Sequence, residues 1–182
     1  SDLPVVLMPK INSKLISIIV PCFNSGKTLK RTILSIKNQT WKFKEIIIVN
    51  DGSTDSYTLE IINDLSRAKL VKIITQKNKG LAAARNIGAK LAKGNYLFFL
   101  DSDDWIDTKT LEEIYSFSLL QNKKTYVFPD IKMEGMRKGF IKKEYNFFEQ
   151  LFFNQLPYCL FISKKIFLKY GLYDENMRKG YE

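Results

Sequence analysis

A chain of 182 residues that is 45% hydrophobic and 26% charged can bury one substantial core, and it holds too little Pro and Gly for a disordered chain. Lys and Arg outnumber Asp and Glu by 29 to 19, a net charge of +10 that attracts anionic partners. The basic residues are scattered as short pairs such as Lys142-Lys143 and Lys164-Lys165, without a basic arm, which argues against nucleic acid; an anionic membrane surface or a phosphorylated substrate suits the sign equally well.

Residues 1–14 mix Pro, Lys and short apolar pieces without periodicity and read as a leader or linker, with an ordered domain expected over 15–182. From Leu15 onward, β-branched runs alternate with segments of helical period, the pattern of a mostly parallel sheet flanked by helices. Ile16 to Val20 predicts a buried strand, and Leu29, Ile33 and Ile36 predict a helix after the turn residues Asn24-Ser25-Gly26. Glu45 to Asn50 predicts a second strand, and Asp51-Gly52-Ser53-Thr54-Asp55 supplies the turn and cap of a helix facing the core through Leu59, Ile62 and Leu65.

Val71 to Thr75 reads as a third strand, followed by an Ala- and Gly-rich helix from Leu81 to Leu91 that can approach the sheet closely. Tyr96 to Leu100 reads as a fourth strand, Leu111, Ile114, Tyr115 and Leu119 as one face of a helix, and Thr125 to Phe128 as a fifth strand. Beyond Pro129 the period is lost among aromatic and basic residues. Tyr158 to Ile162 is expected to form a last strand, and Ser163 to cap a short helix ending at Gly171.

In an open parallel sheet, ligands gather outside the carboxyl ends of the strands, and three loops there carry unusual chemistry. They are Pro21-Cys22-Phe23-Asn24, Asn50-Asp51-Gly52-Ser53 and Asp101-Ser102-Asp103-Asp104. Asp51 can accept a hydrogen bond from a base such as the uracil N3–H, or it can serve as a helix cap. Three carboxylates within four residues repel one another unless a cation or a set of donors compensates them, and Mg²⁺ or Mn²⁺ is the natural cation for such hard oxygens. An ordinary acidic turn is the alternative, and the EF-hand pattern is not met.

Asn78-Lys79-Gly80-Leu81 and Arg85 place a glycine and two cations at a helix start, where anions are favoured; a solvated basic helix end would look the same. There is no GxGxxG and no GxxxxGK[ST], which excludes the usual dinucleotide and P-loop sites, and the absence of His excludes histidine triads and shuttles. Cys22 and Cys159 lack metal or disulfide spacing and fit a reducing cytoplasmic compartment. No apolar run approaches the roughly twenty residues that span a bilayer, so peripheral contact with the inner face of a membrane is the form of membrane association expected.

In order and spacing, Ile18-Ile19-Val20-Pro21-Cys22-Phe23-Asn24, Ile47 to Asp55, Asn78 to Asn86 and Phe98 to Asp104 resemble the family 2 glycosyltransferases of the Rossmann-like GT-A fold, from about Leu15 to Glu182. The resemblance implies a donor-binding part at about 15–108 and the start of an acceptor part at 109–182. It implies that Pro21, Phe23, Asn24 and Asp51 border the nucleoside of a nucleotide-sugar donor, with Asp51 reading the base and a UDP-sugar favoured. Lys79, Gly80, Arg85 and Ser102 would lie near the nucleotide, Asp101 near the ribose or sugar, and Asp103 would hold the Mn²⁺ or Mg²⁺ that bridges the diphosphate.

Members of that family typically transfer the sugar with inversion to an acceptor hydroxyl, here on a glycan, a lipid-linked glycan or a protein. Their carboxylate base lies in a Glu-Asp motif after a Gly-rich stretch. Gly180-Tyr181-Glu182 resembles the opening of that motif, so Glu182 is the catalytic candidate, and the chain is expected to be cut short before the motif is complete. A non-catalytic nucleotide-sugar-binding or interaction module of a larger protein is the alternative expectation. A nucleotidyltransferase fits less well, because Pro21-Cys22-Phe23-Asn24 is not the Gly-rich basic loop expected after its first strand.

Overall fold

Two runs of β-branched residues form the middle of the sheet, because Ile and Val fit a strand buried on both faces. These are β1 (Ile16–Cys22), buried along its whole length, and β2 (Lys44–Asp51), buried over its last six residues. The computed structural model describes residues 14–120, 127, 129–133, 139–141 and 159–176. Helix α1 (Gly26–Lys37) connects β1 to β2, and α2 (Ser56–Arg67) leads from β2 to β3 (Lys72–Gln76). Then come α3 (Leu81–Leu91), β4 (Tyr96–Phe99), α4 (Thr110–Leu120), a two-stranded antiparallel hairpin of β5 (Ile131–Met133) and β6 (Gly139–Ile141), β7 (Leu160–Ser163) and α5 (Lys164–Tyr170).

The main sheet has the order β3-β2-β1-β4-β7, parallel throughout except for β7, which runs antiparallel to β4. The α/β architecture expected from the sequence is therefore present. Side-chain alternation along the strands divides the core between two faces. Ile16, Ile18 and Val20 of β1 and Ile46 and Ile48 of β2 pack with Leu29, Ile33, Ile61, Leu111 and Ile114 from α1, α2 and α4. Ile19, Ile47, Val49, Leu97 and Phe99 pack with Ala84, Ala89 and Phe167 from α3 and α5. Gly88 lets α3 lie close to the sheet, since a Cβ there would come 2.6 Å from Ile19 Cγ2 and 3.1 Å from Val49 Cγ2.

Several sequence expectations are corrected in detail. In α2 the buried face carries Thr58, Ile61 and Ile62, while Leu59 is exposed. Asp55 sets that phase: its Oδ2 accepts from Thr58 N at 2.9 Å and Thr58 Oγ1 at 2.6 Å, and Thr58 Oγ1 in turn accepts from Gly26 N at 2.8 Å. In α4, Ser118 is buried and Leu119 exposed.

Of the expected fifth strand only Val127 is described, and it forms an antiparallel bridge to Phe161; Thr125, Tyr126 and Phe128 lie outside the described residues. Ser163 occupies the N-cap position of α5 without a side-chain cap bond, and the Lys164 N–H bonds Asn95 O at 2.8 Å instead. Residues 1–13 and the aromatic segment at 142–158 also lie outside the described residues. Among the described residues no helix is long and apolar enough to cross a membrane.

Candidate functional site

Because β1, β2 and β4 are parallel, their carboxyl ends deliver three loops to one edge of the sheet. There they frame a cleft of about 370 Å³, walled by Pro21, Cys22, Phe23 and Ser25 after β1, Asp51 at the end of β2, and Asp101, Ser102 and Asp103 after β4. The fourth wall is the start of α3, with Asn78, Gly80, Leu81 and Ala84. Of the residues singled out from sequence, Pro21, Phe23, Asp51, Gly80, Asp101, Ser102 and Asp103 are brought together here. Asn24, Lys79 and Arg85 are not among the walls.

Asn24 sits in the left-handed region at φ 51° and ties two loops together. Its N–H donates to Ser53 Oγ at 3.1 Å, and its Oδ1 accepts from Thr54 N at 2.8 Å and Asp55 N at 3.0 Å. The side chain expected to border a nucleoside thus ties the loop after β1 to the loop after β2. Gly52, at φ 72°, is required by a close approach, since a Cβ there would lie 2.6 Å from Asn78 N.

Asp51 is buried and engaged. Its Oδ1 accepts from Gln76 Nε2 at 2.7 Å and Lys79 N at 2.9 Å, and its Oδ2 from Gly80 N at 2.8 Å. It does not cap α2, which Asp55 does; it anchors the loop that enters α3. With one donor among the described residues, Oδ2 keeps acceptor capacity beside the cleft, so the anchoring role does not exclude an acceptor role. The Lys79 side chain is exposed, and its contribution to this corner is its backbone N–H.

Gly80 is the N-cap of α3, with φ 90° and no side chain to cap the first turn. Nothing would lie within 4 Å of a Cβ there, so the helix start opens on the cleft. Its free N–H groups and the positive end of the helix favour an anion at that wall.

Arg85 lies one turn further into α3, is buried, and donates from Nη2 to Asp101 Oδ1 at 2.6 Å. Its guanidinium lies 5.3 Å from the centre of the Tyr173 ring, and its Nε has no hydrogen-bond partner among the described residues. It thus reaches the cleft through Asp101. The neighbouring Asn86 grips the chain that passes beside it: Oδ1 accepts from Tyr173 N at 3.0 Å, and Nδ2 donates to Tyr173 O and Glu175 Oε1, each at 2.9 Å.

The acidic loop resolves its own repulsion in three ways. Asp101 is paired with Arg85, so a protein cation supplies part of the compensation that the sequence reading assigned to a metal. Asp104 faces away, with Oδ2 4.0 Å from Cys159 Sγ, and burial together with the charges of Asp103 and Asp101 pushes its pKa up to about 6. Burial, with Asp104 adding to it, pushes the Cys159 thiol up to about 12, and both cysteines are free, buried thiols. Asp103 is exposed toward the cleft, and none of the described residues donates a hydrogen bond to its carboxylate.

These residues fit Mg²⁺ or Mn²⁺. Among the described residues no group of three His, Cys, Asp or Glu could hold an ion by itself, which rules out a cage built from those residues. One open carboxylate with a second beside it is what an ion uses when water and substrate phosphate complete its shell. Glu182, the candidate base, lies outside the described residues. Sequence reasoning missed Ser25, Asn78, Leu81 and Ala84 as walls; the signal available was their position in or one turn beyond the same loops. Ser25 Oγ lies 2.7 Å from Ser102 Oγ and 3.3 Å from Cys22 Sγ, joining the first loop to the acidic one across the cleft floor.

A protein of Haemophilus influenzae named an uncharacterized glycosyltransferase is 47% identical over 114 residues, which are 62% of this chain and 45% of that protein. The Escherichia coli UDP-Glc:alpha-D-GlcNAc-diphosphoundecaprenol beta-1,3-glucosyltransferase WfaP is 44% identical over 103 residues, 56% of this chain and 41% of its own. The chain spans less than half the length of these relatives. The crystal structure of Staphylococcus aureus TarS 1-349 shares the fold, with a TM-score of 0.73 at 24% identity over 91% of this chain and 52% of that one. The sequence profile of Glycosyl transferase family 2 matches residues 17–174, and the chain belongs to that family.

Proposed function

We propose that this chain forms the donor-binding part of a metal-dependent, inverting glycosyltransferase that takes a UDP-sugar and delivers the sugar to a hydroxyl of a glycan, lipid-linked or protein acceptor. One observation carries the reading. The open carboxylate of Asp103 and the uncapped start of α3 line the same cleft, giving a diphosphate both a cation site and a ring of N–H donors. The relative WfaP is named for a UDP-Glc donor and a diphosphoundecaprenol-linked acceptor. The charge of +10 suits the anionic membrane face where such an acceptor resides.

In this reading Asp103, with Asp101 beside it, holds Mn²⁺ or Mg²⁺, which when bound supplies Lewis-acid stabilisation of the departing diphosphate. Arg85 holds the Asp101 carboxylate in place. Asp51 accepts from the pyrimidine imide N–H with its remaining lone pair, and Phe23, half exposed at the cleft mouth, covers the base. The N–H groups at the start of α3 take up phosphate oxygens, and Glu182 is the proposed base that removes the acceptor hydroxyl proton.

Base selectivity tests the assignment. In Mn²⁺, UDP and dTDP are expected to bind alike, and CDP at least about tenfold more weakly, because cytosine N3 presents a lone pair where Asp51 requires a donor. Equal affinities for CDP and UDP in calorimetric titrations would reject Asp51 as the reader of the base.

A further inference from the structure

We propose that α1 is the fixture on which the acidic loop is aligned, and that Thr32 is the positioning residue that sets where Asp103 meets a divalent cation. The inference deepens the donor-site reading and rests on it for the cation. One side of α1 and its flanks presents polar groups at 25, 32, 35 and 39, intervals of seven, three and four that keep to one helical face. Each bonds the segment that follows β4. Ser25 meets Ser102 Oγ at 2.7 Å, Ser35 Oγ accepts from Ile106 N at 3.2 Å, and Gln39 accepts from Leu111 N at 3.0 Å while donating to Asp107 O at 2.6 Å.

Thr32 is at the centre of this row. Its hydroxyl proton is shared between Ser102 O at 2.9 Å and Asp104 O at 2.7 Å, the carbonyls on either side of Asp103. The side chain is only 1% exposed, so water cannot replace it. The rest of the buried α1 face is apolar apart from Gly26, with Leu29, Ile33 and Ile36, and a hydroxyl among them is otherwise unexplained by packing. Arg31, one residue earlier, lays its guanidinium 3.1 Å above the Trp105 ring and holds the far end of the loop. Asp103 itself receives no hydrogen bond from the described residues, so its place at the cleft depends on the backbone on either side of it, which the turn bond from Asp104 N to Asp101 O at 3.1 Å shapes and Thr32 fastens to α1.

The test compares Thr32→Val, which keeps the shape and removes the hydroxyl, with Thr32→Ser, which keeps the hydroxyl. Amide hydrogen exchange of residues 102–106 should accelerate by about fivefold or more in Thr32→Val, the equivalent of one lost hydrogen bond in the local opening equilibrium. The Mn²⁺ concentration that half-saturates UDP binding should rise by about the same factor, while UDP affinity at saturating Mn²⁺ stays within about twofold of wild type. Thr32→Ser should restore both. If Thr32→Val does not fold, Ser35→Ala, in the same row but outside the cleft walls, carries the test through the lost bond to Ile106 N, with shifts in the same direction.

Unchanged exchange at 102–106 would overturn the fastening role. Faster exchange with an unaltered Mn²⁺ response, or Thr32→Ser behaving like Thr32→Val, would overturn the link from the hydroxyl to the cation. A folded wild type that binds UDP without any Mn²⁺ dependence would instead bring down the donor-site reading, and with it the cation part of this inference.

Discussion

Replacing Asp103 by Asn is expected to bring UDP affinity in Mn²⁺ down to the level seen in EDTA, a loss of about 10- to 100-fold, the worth of one charge-assisted ligand bond. The substitution preserves shape and removes charge at a side chain that is exposed and has no donor among the described residues, so the fold should be unaffected, within about 0.5 kcal/mol. Asp104→Asn provides the contrast. Its carboxyl points toward Cys159 and away from the cleft, so the metal dependence should survive. Calorimetric titration of UDP into the three proteins, with Mn²⁺ and with EDTA, separates the two acids. An Asp103→Asn protein with undiminished Mn²⁺ dependence would show that another group holds the ion.

The second large effect is on stability. Arg85→Met keeps the buried aliphatic stem beside Tyr173 and removes the cation 2.6 Å from Asp101. Asp101 then loses that partner while Asp103 and Asp104 stay close by, and the expected cost is about 3 kcal/mol, the lower end of the range for breaking a buried pair, because Asp101 is partly exposed. The Nε of Arg85 makes no hydrogen bond among the described residues. Adding Asp101→Asn to Arg85→Met should recover part of the loss, since the charge that Arg85 had balanced is then gone. Urea unfolding of the two single variants and the double variant reads the coupling directly. A cost for Arg85→Met below about 1 kcal/mol would mean that solvent already screens Asp101 and that Arg85 is there for another purpose.

The strands at the centre of the sheet were legible because their composition leaves little choice. Ile16 to Val20, apart from Ser17, and Ile46 to Val49 are β-branched, and both are buried as expected. Helix phase was less legible. Hydropathy selects Leu59 in α2, but the bond from Thr58 to Asp55 and the contact of Thr58 with Gly26 turn Thr58 inward and leave Leu59 in solvent. A polar cap therefore decided a packing question, which apolar spacing cannot register. The direction of β7 was equally hidden, since an apolar run of four residues has no polarity along the strand.

At the site, the motifs named loops that meet at one cleft, but not the partners that their side chains take. Asp51, Asp101 and Asp103 converge because parallel strands end at one edge, a consequence of topology that the βα alternation reveals. Arg85 looked like an anion-binding residue because it follows a helix start. Its burial on α3, and hence its pairing with Asp101 across sixteen positions of sequence, has no signature in local spacing. Thr32 was equally silent, since nothing in an amphipathic helix distinguishes a threonine that fastens a distant loop from one that merely fills space.

The central claim is that one cleft holds both the cation and the nucleotide, and paramagnetic broadening of backbone amide signals tests it most directly. With UDP present, substoichiometric Mn²⁺ should broaden the amides of Ser102, Asp103 and Asp104 and those at the start of α3, Leu81 to Ala83. UDP in EDTA should shift Phe23, Gly52 and Gly80. Broadening centred elsewhere, or UDP shifts that avoid the loops after β1 and β2, would contradict the account.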